Sequence, residues 1–262
     1  MGIVIVILFI IVISVIGAIN STPEAKGRRG EKEIEKDLNS IKFWGYEGYC
    51  LKNVYIPKAD GSTSEIDLLY ITQKGFFVIE SKNYSGYIFG DDRRQEWTST
   101  LYGGSTWYGG SKVNKYKFYN PVWQNNSHIS SLKSYLGEIS AISIIVFGDN
   151  CELKNVNVNK ENVYVCYEKE LKKLIKRVWE NLPTRYSSEE ITKFYNRLLP
   201  FTEVSNEKKA IHVQKIHEKQ QGEICPRCGG TLVMRQAKKG VHAGNQFYGC
   251  SNYPKCRYIR NI

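Results

Sequence analysis

The stretch GFFVIESKNYSG, residues 75–86, decides the fold class of this 262-residue chain. It starts at a turn glycine, continues as an apolar run, and ends in the charged pair Glu80 and Lys82. A short apolar run bounded by turn residues is typical of a buried β-strand. Because residues i and i+2 of a strand face the same side, we expect Glu80 and Lys82 to project together.

A second strand is predicted directly upstream, over residues 65–71, EIDLLYI. A Gln-Lys-Gly turn signal at 73–75 separates the two runs, so a hairpin is expected to bring Asp67 beside Glu80. Two close carboxylates repel unless a cation lies between them, and oxygen ligands favour Mg²⁺ or Mn²⁺. A neighbouring lysine would face a phosphate or an attacking water, which suits phosphodiester hydrolysis. On these residues alone, a solvated surface ion pair stays an open alternative.

The rest of the body predicts alternating helices and strands, and therefore an α/β domain. Helices are expected over 30–40, 121–136, 168–181 and 188–199, and further strands over 49–56, 143–147 and 162–166. The segment 84–119 is rich in glycine and aromatic residues and is expected to form irregular strands and loops. Its aromatic side chains are either sheet packing or a base-stacking surface. Residues 91–94, DDRR, are expected to be a solvated turn.

Residues from about Gly27 to Gly137 resemble the NERD (nuclease-related) domain of the PD-(D/E)xK, restriction-endonuclease-like superfamily. The matching features, in order, are Gly27-x-x-Gly30-Glu31, Glu65-Ile66-Asp67-Leu68-Leu69, Gly75-x-x-Val78-Ile79-Glu80-Ser81-Lys82-Asn83-Tyr84-Ser85-Gly86, Trp97 and Asn120-Pro121-x-x-Gln124-Asn125. The resemblance implies an α/β fold with a restriction-endonuclease-like mixed sheet flanked by helices.

The same resemblance implies a role for each site residue. Asp67 and Glu80 would ligate the metal, with the Ser81 carbonyl as a backbone ligand, and Lys82 would be the catalytic lysine. Glu31 and Gln124 would enter from the flanking helices to complete the site. Simpler interpretations stay open: Glu31 as an acid in the first helical turn, Gln124 as a surface amide, and His128 as a structural histidine rather than a substrate contact.

The C-terminal module contains a Cys225-x-x-Cys228 knuckle and a Cys250-x5-Cys256 pair. Four thiolates on two tight turns favour a closed tetrahedral Zn²⁺ site. A module of about forty residues buries little apolar surface, so the metal is expected to contribute to its folding. His242 lies between the pairs and is expected at the surface rather than as a ligand.

This module resembles the zinc ribbons at the C-terminus of bacterial type I DNA topoisomerases, and the resemblance implies single-stranded DNA binding. Basic residues greatly outnumber acidic ones from Glu223 onward, and aromatic residues lie among them, which suits phosphate contacts beside base stacking. The expected nucleic-acid contacts are Arg235, Lys238, Lys239, Phe247, Tyr248 and Tyr253. A ribbon that binds protein is the alternative. No upstream segment is long enough for a topoisomerase cleavage domain.

Residues 2–19, GIVIVILFIIVISVIGAI, are uncharged and long enough to cross a bilayer. Basic residues follow them at Lys26, Arg28 and Arg29, which predicts a single-pass anchor in the inner (plasma) membrane with the body in the cytoplasm. A cleaved signal peptide is the alternative, although the apolar run exceeds the usual length of its hydrophobic region. The chain has seven cysteines, an odd number, of which four lie in the last forty residues and three are scattered, and this distribution disfavours a disulfide-stapled secreted fold.

These observations predict four segments: an anchor over 2–19, a NERD-like domain over 27–200 with its core motifs in 27–137, a linker over 201–222, and a zinc ribbon over 223–262. The net charge of +11 agrees with a nucleic-acid partner. We therefore expect a membrane-anchored, Mg²⁺- or Mn²⁺-dependent nuclease that prefers DNA over RNA, and a homodimer is compatible with that function. The alternatives are a non-catalytic membrane tether for DNA or RNA, and an adaptor whose ribbon binds another protein.

Overall fold

A computed structural model describes residues 23–42, 45–58, 61–105, 111–202, 225, 227, 231–237 and 244–261. The chain divides into two compact units, Met1–Glu203 and Val204–Ile262. The predicted anchor, residues 2–19, lies outside the described residues, as does nearly all of the predicted linker. None of the helices in the described part of the chain has the length and apolar character needed to span a membrane.

The first unit consists of four helices, nine strands and two short 3-10 turns among the described residues. In chain order they are α1 (Pro23–Ile41), β1 (Gly48–Pro57), β2 (Thr63–Thr72), β3 (Gly75–Lys82), β4 (Gly86–Asp91), β5 (Glu96–Ser105), β6 (Ser111–Tyr119), α2 (Pro121–Leu136), β7 (Ala141–Phe147), β8 (Cys151–Asn157), β9 (Val163–Tyr167), the turn Glu168–Glu170, α3 (Leu171–Asn181), α4 (Ser188–Leu198) and the turn Leu199–Phe201.

The main sheet has five strands in the order β1-β2-β3-β7-β9. Strands β1, β2 and β3 pair antiparallel, whereas β7 lies parallel to β3 and β9 lies parallel to β7. Between β3 and β7 the chain runs through β4, β5, β6 and α2, and between β7 and β9 it runs through β8, so each parallel pair has the long crossover that it needs. The predicted α/β class with a mixed sheet is therefore confirmed.

Helices cover both faces of this sheet, and each face buries its own hydrophobic core. On one face, Ile34 and Leu38 of α1 pack with Phe77 of β3 and with Leu174 and Val178 of α3. The predicted 3.6-residue spacing of α1 thus corresponds to a buried stripe, although the helix begins at Pro23, earlier than predicted.

The opposite face carries α2 and α4. Val78 of β3 packs there with Leu132 of α2 and with Ile191 and Leu198 of α4. Because residues of a strand alternate between faces, Val78 shares this face with Glu80 and Lys82. Helix α2 therefore crosses the sheet on the side to which the charged end of β3 points.

The segment 84–119 is more regular than predicted. It forms β4, β5 and β6, which join β8 in a second, four-stranded sheet of order β6-β5-β4-β8. Strand β8 is absent from the sequence prediction because most of its side chains are polar or partly exposed, so it carries no apolar run. Residue Trp97 of β5 is fully buried and lies 6.0 Å, ring to ring, from Phe147 of β7.

The turn at residues 91–94 is only partly solvated. Asp91 forms an exposed ion pair with Arg93, as expected. Asp92, however, is buried: its carboxylate accepts a hydrogen bond from the Asn159 amide at 2.9 Å, and its carbonyl accepts one from Nε1 of Trp123 at 2.7 Å. The prediction of a solvated turn is therefore wrong for Asp92. This residue binds both Trp123, near the start of α2, and Asn159, just after β8.

The second unit contains a three-stranded antiparallel sheet of order β10-β11-β12. The strands are β10 (Leu232–Gln236), β11 (Gln246–Cys250) and β12 (Ile259–Asn261). Buried Leu232 packs with the buried cysteines of this unit to form a small core.

Candidate active site and zinc cluster

The hairpin of β2 and β3 places Asp67 next to the end of β3. Leu68 of β2 and Ile79 of β3 are partners in the antiparallel ladder. Asp67 directly precedes Leu68 and Glu80 directly follows Ile79, so these two residues occupy neighbouring positions across the strands. Oδ2 of Asp67 accepts a hydrogen bond from the amide of Ser81 at 2.9 Å. The carboxylate of Asp67, in the middle of β2, therefore lies beside the end of β3 that carries Glu80.

Glu80 is the most deeply buried acidic residue of this site, with 1% of its surface exposed. Oε1 accepts a hydrogen bond from Nζ of Lys82. Oε2 lies 3.3 Å from Nε2 of His128 but makes no well-aligned hydrogen bond with any described residue. Nδ1 of the same histidine lies 2.7 Å from Oγ of Ser64 on β2. One oxygen of a buried carboxylate is thus left with an unused lone pair.

Lys82 connects the strand to the helix above it. Its Nζ donates to Glu80 and also to Oε1 of Gln124 on α2, at 3.1 Å. Gln124 is therefore bound to the lysine and is not a free surface amide. Gln124 and His128 are four residues apart, so they lie on the same helix face, and both reach the end of β3.

Helix α2 is fixed over the sheet by buried polar contacts. Asn120 caps the helix, because its side-chain oxygen accepts a hydrogen bond from the Val122 amide at 2.9 Å, and Pro121 follows as the first helical residue. Fully buried Asn125 donates to the Val78 carbonyl at 2.8 Å and to Oγ of Ser143 at 2.9 Å. These bonds set the positions of Gln124 and His128 relative to β3.

Glu31 approaches the site from α1. Its charge interacts with those of Glu65 and Glu80. Glu65 accepts a hydrogen bond from the Tyr55 hydroxyl at 2.6 Å. A second pair of acidic groups therefore lies beside Asp67 and Glu80.

The electrostatics show an excess of negative charge around Asp67. Burial and the neighbouring Glu80 raise the pKa of Asp67 well above its usual range, despite the opposing effect of Lys82. Burial also raises the pKa of Glu31, and Glu65 and Glu80 add to that rise.

Glu80 and Lys82 behave as an ion pair. Burial alone would raise the pKa of Glu80, but Lys82 and His128 outweigh it, so the pKa of Glu80 is lowered. Burial alone would lower the pKa of Lys82, but Glu80 and Asp67 outweigh it, so its pKa is raised. Lys82 therefore carries a proton at neutral pH.

These properties fit a hard divalent cation. Both candidate ligands offer carboxylate oxygens, Oε2 of Glu80 makes no aligned hydrogen bond with a described residue, and burial followed by the charge of Glu80 raises the pKa of Asp67 despite the nearby Lys82. An added positive charge between the two carboxylates would relieve their repulsion.

A polar pocket of about 490 Å³ opens beside Lys82. It lies between α1, the end of β3 and the loop after β7, and its lining includes Arg29, Ser81, Asn83 and Asn150. Glu33, Asp149 and Glu168 also line it, so its walls carry both charges. The pocket lies at the ends of the parallel strands β3 and β7, where ligands bind in open α/β sheets.

Sequence reasoning missed the contact between His128 and Glu80. The expectation of a structural histidine agrees with its burial, but the ring also faces the candidate metal ligand. The four-residue spacing from Gln124 was the available signal, because it places both side chains on one helix face.

Three cysteines of the second unit converge. The Sγ atoms of Cys225, Cys250 and Cys256 all lie within 4.8 Å of one another, and all three residues are buried. Sγ of Cys225 and Sγ of Cys256 are 3.7 Å apart, too far for a disulfide. Thiolates about 2.3 Å from a tetrahedral zinc ion stand about 3.8 Å apart. The cluster therefore has the donors and the spacing for Zn²⁺, and the fourth predicted ligand, Cys228, lies outside the described residues.

The predicted nucleic-acid contacts of this unit lie partly on one surface. The guanidinium of Arg235 lies 5.7 Å from the ring centroid of Tyr253, which is 59% exposed. Tyr248 pairs in the same way with Arg260 at 4.8 Å, and Phe247 lines a pocket together with Arg235 and Tyr253. Lys238, Lys239 and His242 lie outside the described residues.

The geometry thus defines an α/β domain in which two acidic side chains and a lysine meet at the end of β3, followed along the chain by a cysteine-rich ribbon. Comparison with known families agrees: residues 26–148 match the family model of the nuclease-related domain, NERD, and residues 222–262 match that of the topoisomerase DNA binding C4 zinc finger. Both resemblances found in the sequence are confirmed for these segments.

Curated relatives match different parts of the chain. An uncharacterized protein of Bacillus anthracis is 29% identical over 216 residues, which cover 80% of this chain and 95% of that protein. DNA topoisomerase 1 of Helicobacter pylori is 49% identical over 53 residues, or 20% of this chain and 6% of that enzyme. DNA topoisomerase 1 of Methanocaldococcus jannaschii is 46% identical over 50 residues, 19% and 6% of the two chains. No solved structure matches the chain.

Proposed function

We propose that this chain is a divalent-metal-dependent nuclease that hydrolyses phosphodiester bonds, with DNA as its preferred substrate. The observation that carries this proposal is the convergence of Asp67, Glu80 and Lys82 where the end of β3 lies beside the middle of β2, with an oxygen of buried Glu80 that makes no aligned hydrogen bond. The match of residues 26–148 to the nuclease-related domain supports the same chemistry.

Each side chain has a distinct role in this proposal. Asp67 and Glu80 would hold Mg²⁺ or Mn²⁺, which when bound supplies Lewis acidity toward the phosphate and the attacking water. Lys82 would neutralise the negative charge that develops at phosphorus, and its raised pKa keeps it protonated for that task. Gln124 would fix the direction of the ammonium, since its side chain accepts one of the lysine's hydrogen bonds. Glu31 would complete the acidic side of the site.

The ribbon and the N-terminal segment would bring the substrate and the site to one place. We propose that Zn²⁺ on Cys225, Cys228, Cys250 and Cys256 holds the ribbon folded, and that Arg235, Phe247, Tyr248 and Tyr253, with Lys238 and Lys239, bind single-stranded DNA. The DNA-binding description of the matching zinc-finger family supports this role. Residues 2–19 would anchor the protein in the inner membrane with its body in the cytoplasm, and a tethered binding module raises the local concentration of substrate.

The test is cleavage by the purified full-length protein in detergent, loaded with Zn²⁺, on single- and double-stranded DNA and RNA with Mg²⁺ or Mn²⁺. Asp67→Ala and Lys82→Ala should each abolish cleavage. Lys176→Ala removes an exposed lysine on α3 and serves as the matched control. Equal residual cleavage in the wild type, Asp67→Ala and Lys82→Ala would refute the catalytic proposal.

A second candidate is a non-catalytic membrane tether that binds nucleic acid through the same fold. The bond from Lys82 to Oε1 of Glu80 favours it, because this ion pair already satisfies half of the carboxylate without a metal. Calorimetric titration of the Zn²⁺-loaded protein with Mn²⁺ separates the two functions. Binding that disappears in Asp67→Ala supports the nuclease, whereas the absence of binding in the wild type supports the tether.

A further inference from the structure

The aromatic residues of β6 divide between the core and the surface. Phe118 is half-buried and packs against buried Trp97, 6.3 Å from ring to ring. Tyr116, two residues earlier and therefore on the same face, is 52% exposed and belongs to none of the hydrophobic clusters of the described residues. Packing thus explains Phe118 but leaves the ring of Tyr116 available at the surface.

This aromatic face continues to the candidate active site. The ring of Tyr84 stacks on that of Phe118, with centroids 4.1 Å apart and planes inclined by 24°. Tyr84 follows Lys82 by two residues and lies close enough for their charges to interact. A series of aromatic rings therefore leads from Lys82 through Tyr84 and Phe118 to the exposed Tyr116.

A hydrogen bond holds the segment that follows Lys82 against the face of the β5–β6 hairpin that carries Tyr116. Ser99, the cross-strand partner of Tyr116, donates its hydroxyl to the carbonyl of Ser85 at 2.8 Å. The segment between Lys82 and β4 is thereby held against the same side of the β5–β6 hairpin. The link between Tyr116 and the active site is thus a fixed part of the fold.

The charge of the strand suits a polyanion. Residues 111–119, SKVNKYKFY, contain three lysines and no acidic residue. Lys115 and Lys117 lie on the face of β6 opposite to Tyr116, and Lys117 pairs with Glu96 at 2.8 Å. The cation that the series of rings does reach is Lys82, beside Tyr84. A π-face with nearby cations is the combination that binds single-stranded nucleic acids, because it stacks a base and neutralises the phosphate beside it.

We propose that Tyr116, together with Tyr84 and Phe118, is a stacking platform for an unpaired nucleic-acid strand that leads into the Asp67, Glu80 and Lys82 site. A base inside a duplex already has both faces stacked, so only an unstacked base can use an exposed ring. The substrate class is therefore single-stranded or locally unpaired nucleic acid. This inference deepens the proposed nuclease function and rests on it for its substrate.

The test compares Tyr116→Ala with Tyr119→Ala in the full-length protein. Tyr119 is 49% exposed and lies on the opposite face of the same strand, so its substitution controls for loss of an exposed tyrosine. With Mg²⁺ and a single-stranded oligonucleotide, kcat/KM should fall about tenfold in Tyr116→Ala. It should stay unchanged in Tyr119→Ala, and Tyr116→Phe should retain wild-type efficiency because its ring still stacks.

Photo-cross-linking gives a readout that does not need cleavage. In a Lys82→Ala background, a single strand containing 5-iodouracil should cross-link to Tyr116, as located by mass spectrometry. If no variant cleaves but the cross-link forms at Tyr116, the platform stands and the nuclease proposal fails. If the wild type cleaves single strands while Tyr116→Ala matches Tyr119→Ala and Tyr116 is not cross-linked, the platform is overturned and the nuclease proposal stands. Cleavage of fully paired duplex alone would also overturn the platform.

Discussion

At the scale of single residues, the least expected contact joins His128 to the buried carboxylate of Glu80. Nδ1 of the imidazole lies 2.7 Å from Oγ of Ser64, and Nε2 faces Oε2 of Glu80 at 3.3 Å without an aligned hydrogen bond, so His128 approaches the carboxylate oxygen that Lys82 does not contact. Two neighbours therefore hold one carboxylate, and a metal would add a third. His128 is a positioning residue in this arrangement, because it acts through Glu80.

We predict that His128→Ala lowers the free energy of unfolding by about 1–3 kcal/mol, because it leaves buried Glu80 with fewer favourable contacts. Urea unfolding at pH 7 measures this change. In the cleavage assay, His128→Ala should lower kcat more than it raises KM, and His128→Gln should restore part of kcat because its amide can still donate to the carboxylate. A histidine without a role in positioning would instead give equal kcat in both variants.

Asp67 illustrates the cost of burying a carboxylate beside a second one. Its folded pKa is raised, so its contribution to stability is present below its usual range near 3.8 and is lost as the pH rises through the raised value. At pH 7 without metal, Asp67 is therefore destabilising. We predict that, without divalent metal at this site, Asp67→Asn raises the melting temperature of the protein at pH 7 by a few degrees. The difference in melting temperature between the variant and the wild type should shrink toward pH 4.

Mg²⁺ should raise the melting temperature of the wild type but not that of Asp67→Asn. It stabilises the wild type, because a ligand that binds only the folded state raises stability, and it leaves Asp67→Asn nearly unchanged. Differential scanning calorimetry with the ribbon loaded with Zn²⁺ checks both statements. A lower melting temperature for Asp67→Asn without metal would show that the two carboxylates do not repel each other as described.

At the scale of elements, the sequence predicted the parts whose signals are local. The strands of the β2–β3 hairpin follow from apolar runs with a turn between them, and α2 begins at Pro121 and ends at Leu136 as predicted because Asn120 caps it and Gly137 follows it. The charged pair at the end of β3 follows from the two-residue period of a strand. The positions of Asp67, Glu80 and Lys82 could therefore be expected before the structure.

The elements that could not be predicted depend on distant partners. Strand β8 is largely polar and exists because it pairs with β4, about sixty residues earlier in the chain. The contacts of His128 and Ser64 require α2 to lie across β2 and β3, which no local pattern specifies. The exposure of Tyr116 and the burial of Trp97 likewise depend on which face of the second sheet meets the main sheet.

Helix α2 carries Gln124 and His128, and Asn125 fixes it to the sheet. We predict that Asn125→Ala lowers the free energy of unfolding by about 1–3 kcal/mol, because it leaves the buried Val78 carbonyl and Ser143 hydroxyl without a donor. Cleavage should also fall, because both site residues shift with the helix. Asn126→Ala, at the neighbouring half-buried position, is the control and should change stability by less than about 0.5 kcal/mol.

At the scale of the whole molecule, the two units offer different sets of donor atoms. The cysteine cluster has soft thiolate donors and stabilises a small core, whereas the strand-end site has hard oxygen donors suited to chemistry. We predict that Cys250→Ser unfolds the ribbon and removes most of the salt-dependent affinity for single-stranded DNA. Fluorescence anisotropy across a range of salt concentrations measures this loss.

The same variant should still cleave DNA, with a higher KM and a kcat close to that of the wild type. This follows because Asp67, Glu80 and Lys82 lie in the other compact unit. A complete loss of kcat in Cys250→Ser would show that catalysis depends on the ribbon itself.

The central claim is that Asp67 and Glu80 hold a divalent cation beside Lys82. Anomalous diffraction from crystals of the Zn²⁺-loaded protein soaked in Mn²⁺ tests it most directly. We predict one manganese peak in contact with a carboxylate oxygen of each of the two acidic residues. Crystals that show Mn²⁺ elsewhere or nowhere, with Glu80 still bonded only to Lys82 and His128, would contradict it.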